Sequence, residues 1–356
     1  MKTFSTSKLV AVIGATLALQ FFAGSASAAL REYWVAAEKV EWNYAPLGKN
    51  MIKPKMGLDL WGNTLSYEKY RYTQYSDSSF SQKVKQPEWS GILGPQLRAV
   101  EGDTLKVHFL NKADKPLSMH PHGVKYDKAN EGADGKGKGA AVPPGDSFTY
   151  EWQVDHKAAP GPNDPSSIIW AYHSHVDSVT EIYDGLIGSI VVTKKGMQRS
   201  ESDPRPKDVD VEFTAMFMVF DENGRPAIHT PSSESHSDKH HHEQREKLSA
   251  EDEEEGNLMH AINGYVFGNL QGFEAKQGQR VRWYLLGMGT EVDLHTAHWH
   301  GETVLENGRR TDVVALLPTE MKTVDMVADN VGEWLFHCHV TDHITAGMVT
   351  RWVVKP

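Results

Sequence analysis

His337-Cys338-His339-Val340-Thr341-Asp342-His343-Ile344-Thr345-Ala346-Gly347-Met348 packs the single cysteine of the chain, three histidines and a methionine into twelve residues. A thiolate, two imidazoles and a weak axial thioether form the donor set of a blue-copper electron-transfer site. On a strand, residues i and i+2 point the same way, so His337 and His339 face one side and Cys338 the other. Metals held on the two faces of one strand would be joined by a few covalent bonds, a short path for an electron. Three further motifs carry histidines at the same spacing: His120-Pro121-His122, His173-Ser174-His175 and His295-Thr296-Ala297-His298-Trp299-His300. The four His-x-His pairs offer eight imidazoles: His120, His122, His173, His175, His298, His300, His337 and His339. That number suits a cluster of three coppers. His295, Cys338, His343 and Met348 complete a separate mononuclear site.

The chain is an internal repeat. Trp170-Ala171-Tyr172-His173-Ser174-His175-Val176 parallels Trp334-Leu335-Phe336-His337-Cys338-His339-Val340, and His120-Pro121-His122-Gly123 parallels His298-Trp299-His300-Gly301. Upstream, the runs beginning at Val100 and Ala275 also correspond. These stretches alternate or are rich in β-branched and aromatic residues, with Gly and Pro turns between them, and none has a strong helical period. The expectation is an all-β fold of two similar sandwiches, residues 29–200 and 201–356. The halves are chemically unequal. Laying the second on the first puts Cys338 on Ser174, His295 on Leu117 and Met348 near Leu186, so one mononuclear copper is expected, in the second half. Residues 229–255 stand apart, with His229, His236, His240, His241 and His242 followed by the acidic run Glu251 to Glu255. Their composition reads as a solvated insertion between strands, with transient metal collection as the alternative.

Lys2 and Lys8, the apolar run Leu9 to Phe22 and Ala26-Ser27-Ala28 read as a secretory signal cleaved after Ala28, which implies a periplasmic or secreted protein. The apolar run is short for a membrane span, and no other segment is long enough to be one. A single cysteine in an exported chain excludes an intrachain disulfide, and copper ligation supplies the thiol with a purpose. Removing the two lysines of residues 1–28 takes the net charge from −10 to −12, which argues against nucleic acid or an anionic membrane as partner.

The motifs H-x-H-G, H-x-H, H-x-x-H-x-H and H-C-H-x3-H-x4-M, in that order, resemble the copper signatures of multicopper oxidases, with matching spacing at all twelve ligand positions. The resemblance implies cupredoxin-like Greek-key domains and four coppers per chain. By correspondence, type 1 copper takes His295, Cys338, His343 and Met348. Type 2 copper takes His120 and His298. The type 3 pair takes His122, His173, His175, His300, His337 and His339. It also implies single-electron oxidation of a reductant at type 1 copper and four-electron reduction of dioxygen to water at the cluster. Members of the family often carry an acid nine residues after the second histidine of the first motif. Here that is Glu131, a candidate proton donor or simply a loop carboxylate.

Within the family, three segments resemble the ceruloplasmin and hephaestin branch: Met259 to Gly272, Trp283 to His295, and His337 to Met348. That branch oxidises ferrous iron at a site of carboxylates and one histidine, and the matching positions are Glu255, His260, Asp342 and Glu291. Hard carboxylate oxygens favour the ferric product. In the alternative reading, Asp342 orients His343, Glu255 belongs to the acidic loop and His260 is a turn residue. The branch fuses six domains, so a chain of two implies a homotrimeric ring with each cluster between domain 1 of one subunit and domain 2 of the next. Bacterial two-domain laccases, which oxidise phenols, supply the alternative function. A nitrite reductase would not need eight imidazoles, and a copper-binding or resistance protein without turnover leaves Cys338 unexplained.

Overall fold

The computed structural model describes residues 28–56, 58, 65–133, 135, 137–225 and 249–356. The proposed signal and the histidine run His229 to His242 lie outside the described residues. In the first half the strands are β1 (Leu30–Asn43), β2 (Ser66–Tyr75), β3 (Leu97–Val100), β4 (Thr104–Asn111), β5 (His120–Pro121), β6 (Ser147–Gln153), β7 (Ser167–His173) and β8 (Ile187–Thr193). In the second they are β9 (Val211–Asp221), β10 (Leu258–Ile262), β11 (Glu274–Lys276), β12 (Arg280–Gly287), β13 (His295–Trp299), β14 (Val304–Glu306), β15 (Arg309–Thr311), β16 (Val313–Leu316), β17 (Met321–Val327), β18 (Gly332–Cys338) and β19 (Val349–Lys355). Among the described residues the α-helices are α1 (Ser178–Tyr183), α2 (Ala250–Gly256) and α3 (Thr341–Thr345).

The repeat read from the motifs is also a repeat of topology. The first half makes sheets ordered β2-β1-β4-β6 and β3-β8-β7-β5. The second makes β10-β9-β12-β17-β14-β15 and β11-β19-β18-β13-β16, the same order with strands added at one edge of each sheet. Even the parallel pairs correspond: β1 with β4 and β9 with β12, then β3 with β8 and β11 with β19. The fold is all-β, built of cupredoxin-like Greek-key sandwiches. Strand patterns follow from which faces are covered. In β4 Leu105, Val107, Phe109 and Asn111 are buried and the residues between them are not, the alternation of a half-buried strand. In β9 residues 213–220 are buried without a break. Phe213, Ala215, Phe217 and Val219 enter the core of the second half, while Met216, Met218 and Phe220 enter a third core. That third core is shared with Trp42, Tyr44, Ile92, Ile169 and Val191 of the first half.

The shared core contains charge. Lys69 of β2 and Glu222, just after β9, are wholly buried and paired, and Lys69 also donates to the Tyr44 hydroxyl at 2.8 Å. Burial pulls the Lys69 ammonium down to about 8, against the opposing pull of Glu222. The acidic stretch at the end of the expected insertion is a helix rather than a loop. Glutamate is a good helix former, and Asn223 Nδ2 donates to the Glu254 carbonyl at the far end of α2.

Candidate metal centres

Strand register brings the histidine motifs together. In the first half β5 pairs with β7 so that His120 lies opposite His173. In the second, β13 pairs with β18 so that His298 lies opposite His337 and Ala297 opposite Cys338. Directly paired residues on one face sit within reach of each other, so two His-x-His strands become one patch of four imidazoles. His300 Nε2 and His337 Nε2 are 3.0 Å apart, with the His298 ring 5.1 Å from that of His337 and 5.2 Å from that of His339. The first-half counterpart has His122 Nε2 and His173 Nε2 3.1 Å apart, and His120 and His175 with ring centroids separated by 5.1 Å.

Backbone carbonyls set the tautomers. Nδ1–H of His120 donates to Glu131 O at 2.7 Å, His173 to Ser174 O at 2.8 Å, His298 to Asp312 O at 2.9 Å and His337 to Cys338 O at 2.7 Å. Each of these rings therefore leaves Nε2 as the nitrogen free to meet a metal. Burial, reinforced by the neighbouring imidazoles, lowers His122 to about 4, His173 to about 3 and His337 to about 4, so these rings are neutral near pH 7. The glycine that closes each H-x-H-G motif has its own reason. Gly123, at φ +74°, lies under the Trp170 indole, where a Cβ would meet Cδ2 at 2.1 Å. Gly301, at φ +72°, lies the same way under Trp334, at 2.9 Å.

The residues expected to hold the mononuclear copper converge on the opposite side of β18. His295 Nδ1 and His343 Nδ1 are 3.1 Å apart, and Cys338 Sγ lies 4.0 Å and 3.7 Å from them. Here the imidazoles present Nδ1, because His295 Nε2–H donates to the buried carboxylate of Asp293 at 3.1 Å. Met348 is fully buried in the same core, and its amide and carbonyl bond to His343 and Cys338. Burial alone raises a thiol, but hydrogen bonds from His295, His343 and two backbone amides outweigh it and bring Cys338 down to about 6. A soft thiolate with two imidazole Nδ1 atoms turned toward it in a buried pocket fits a copper that changes oxidation state without rearranging.

The corresponding pocket of the first half has no such donors. Leu117, Ser174 and Leu186 are fully buried, and Ser174 Oγ accepts from the Ser118 amide at 3.0 Å. Glu181, four residues before Gly185 as His343 is before Gly347, fills the remaining corner and accepts from the Val176 amide at 3.0 Å.

Other expected residues are placed less decisively. His260 is buried, with its ring centroid 5.0 Å from that of His343. Glu255 on α2, Asp342 on α3 and Glu291 on the loop before β13 are exposed. Among the described residues these four do not form one close ligand group, whereas His295, Cys338 and His343 do, as do His298, His300 and His337. The Glu131 carboxylate pairs with Lys128, and its backbone carbonyl is what meets His120. Sequence reasoning missed Asp293. A signal was available: it lies two residues before His295, and the repeat puts Lys115 in its place in the half without mononuclear ligands.

Two family models, each described as multicopper oxidase, match residues 73–196 and 231–356. Human hephaestin is 38% identical over 347 residues, 92% of this chain and 29% of its own length. Ceruloplasmin of Mus musculus is 39% identical over 347 residues, 92% of this chain and 31% of its own. The chain thus spans less than a third of the length of these curated relatives. A blue copper oxidase from Nitrosomonas europaea has a similar structure, with a TM-score of 0.59 and 21% identity, over 91% of this chain and 86% of that one. A structure described as a multicopper oxidase reaches a TM-score of 0.59 at 20% identity, over 92% and 89%. With the thiolate pocket on one face of β18, the histidine patch on the other, and family models over both halves, this chain belongs to the multicopper oxidase family.

Proposed function

We propose that this chain is an exported oxidase of two domains, 29–200 and 201–356, that takes electrons from ferrous iron and passes them to dioxygen. His295, Cys338, His343 and Met348 hold the mononuclear copper. His120 and His298 hold the type 2 ion, and His122, His173, His175, His300, His337 and His339 the type 3 pair. Bound copper supplies single-electron chemistry from the reductant to the thiolate-held ion and onward to the cluster, where dioxygen is reduced to water. The protein supplies the route between the two sites. Cys338 Sγ lies in one pocket, and its carbonyl accepts from Nδ1 of His337 on the other face, so the path is a few covalent bonds or one 2.7 Å hydrogen bond.

The observation that carries the iron reading is His260, buried against the mononuclear ligand His343. A ferrous ion held by His260 would lose one electron to the mononuclear copper, with a single ring contact between the two sites. Asp342 adjoins His343, and the relatives include proteins named ferroxidases. Glu291 is supported as a contribution from a neighbouring subunit. The first-half histidines line a cavity of about 320 Å³ together with Gly289 and Thr290, the residues just before Glu291. Both therefore lie on one wall of the same chain and would face the same neighbour. His298 and His300 of the second-half patch instead line a cleft with Asp208, Arg310 and Asp312. Each set is half exposed, and a homotrimeric ring would close one on the other.

The exposed, separated positions of Glu255, Asp342 and Glu291 within one chain favour the second reading, a laccase-type oxidase of phenols. Steady-state rates with ferrous iron and with a phenolic dye decide between them. In Glu255→Ala and His260→Ala, ferrous turnover should fall at least about tenfold, the cost of losing one ligand interaction of about 1.4 kcal/mol, while dye turnover holds. Equal loss of both activities removes the case for a dedicated iron site.

A further inference from the structure

Asp293 is a wholly buried carboxylate that the copper chemistry does not obviously require. Its Oδ1 accepts from the Val219 amide at 2.7 Å and from His295 Nε2–H at 3.1 Å, and its Oδ2 accepts from the Thr290 amide at 2.8 Å. The loop is shaped around it. Gly289 has φ +114°, and a Cβ there would lie 2.0 Å from Asp293 Oδ2. The bonds join three elements: the loop before β13, the mononuclear ligand itself, and β9 at Val219, the residue paired with His260. At the equivalent position of the first half stands Lys115, which pairs with Asp184 at 2.5 Å.

We infer that Asp293 is a positioning residue of the mononuclear centre: its carboxylate fixes the His295 ring with Nδ1 toward Cys338 and biases the bound copper toward its oxidised state. The inference rests on the copper reading of the His295, Cys338 and His343 pocket. The physical ground is general. A carboxylate behind a ligating imidazole orients the ring, raises its basicity and favours the more highly charged metal, all the more where water is excluded. The two backbone amides on Asp293 hold its carboxylate in place, so it acts on the ring rather than turning away.

The test uses copper-loaded Asp293→Asn, an isostere that keeps the acceptor oxygen and removes the charge. The blue absorption should persist, because all four ligands remain. The midpoint potential, read by equilibrium redox titration of that band, should rise. The blue copper should be lost to a competing chelator about 10–100-fold more readily. An unchanged potential with unchanged retention overturns the inference and leaves Asp293 a loop clamp. Should the variant not fold, the unaltered protein still decides. Proton ENDOR at the type 1 signal should show an imidazole N–H that survives hours in D2O, and exchange of both ring N–H protons within minutes overturns the bond. A wild-type protein with no blue band overturns the copper reading and this inference together; a blue wild type with an unmoved variant overturns this inference alone.

Discussion

Cys338 acts through two atoms that face different sites. Its sulfur sits with His295 and His343, and its carbonyl holds His337 in the tautomer that aims Nε2 at the histidine patch. A substitution that keeps the backbone therefore separates the two. Cys338→Ser should abolish the blue colour and all oxidase turnover while leaving the second-half histidines in place and the far-ultraviolet circular dichroism unchanged. Retained visible absorbance would overturn the mononuclear assignment. At this scale the sequence is highly readable, because donor atom types and i, i+2 spacing are properties of the chain itself. Asp293 was harder to find, since its role depends on a buried loop folding back onto His295 rather than on any motif.

At the scale of elements, the two halves use one device twice. A Trp begins the run that leads into the second His-x-His, and a glycine after the first His-x-His makes room for its ring. Gly123→Ala would force a Cβ into the Trp170 indole and hold a side chain at positive φ, a cost of about 1–3 kcal/mol. Trp170 lies three residues before His173, so the damage should fall on the first-half patch. The expected result is a lowered unfolding midpoint and loss of cluster copper, with the blue band of the other half retained. Gly308→Ala, at φ +76° with nothing within 4 Å, is the control for backbone strain without the clash. Full copper content in Gly123→Ala would show that the latch does not position the histidines. Strand pairing itself was only half legible. The motifs marked β7 and β18, but the two-residue β5 and the parallel pairing of β1 with β4 follow from contacts remote in sequence. Helix α2 was missed because a charged run without apolar period resembles a solvated loop.

At the scale of the molecule, the halves are joined by the core around Met216, Met218 and Phe220 and by the buried Lys69–Glu222 pair, yet the first-half histidines and His298 with His300 line different cavities. In the proposed function, a complete cluster is closed by a second chain. Sedimentation equilibrium should give three times the mass of the mature chain. Conditions that dissociate the proposed trimer should abolish dioxygen uptake while sparing the blue band, since His295, Cys338 and His343 all lie in the second half. A monomer with full turnover would rule out the shared cluster. The donor types and the duplication could be read from the chain alone, because covalent spacing and residue chemistry do not depend on what the chain packs against. Which nitrogen each histidine presents, the carboxylate behind His295, and the separation of the two patches came only with the tertiary structure. Those depend on register between strands far apart in sequence and on which faces remain half exposed once each sandwich has buried its core.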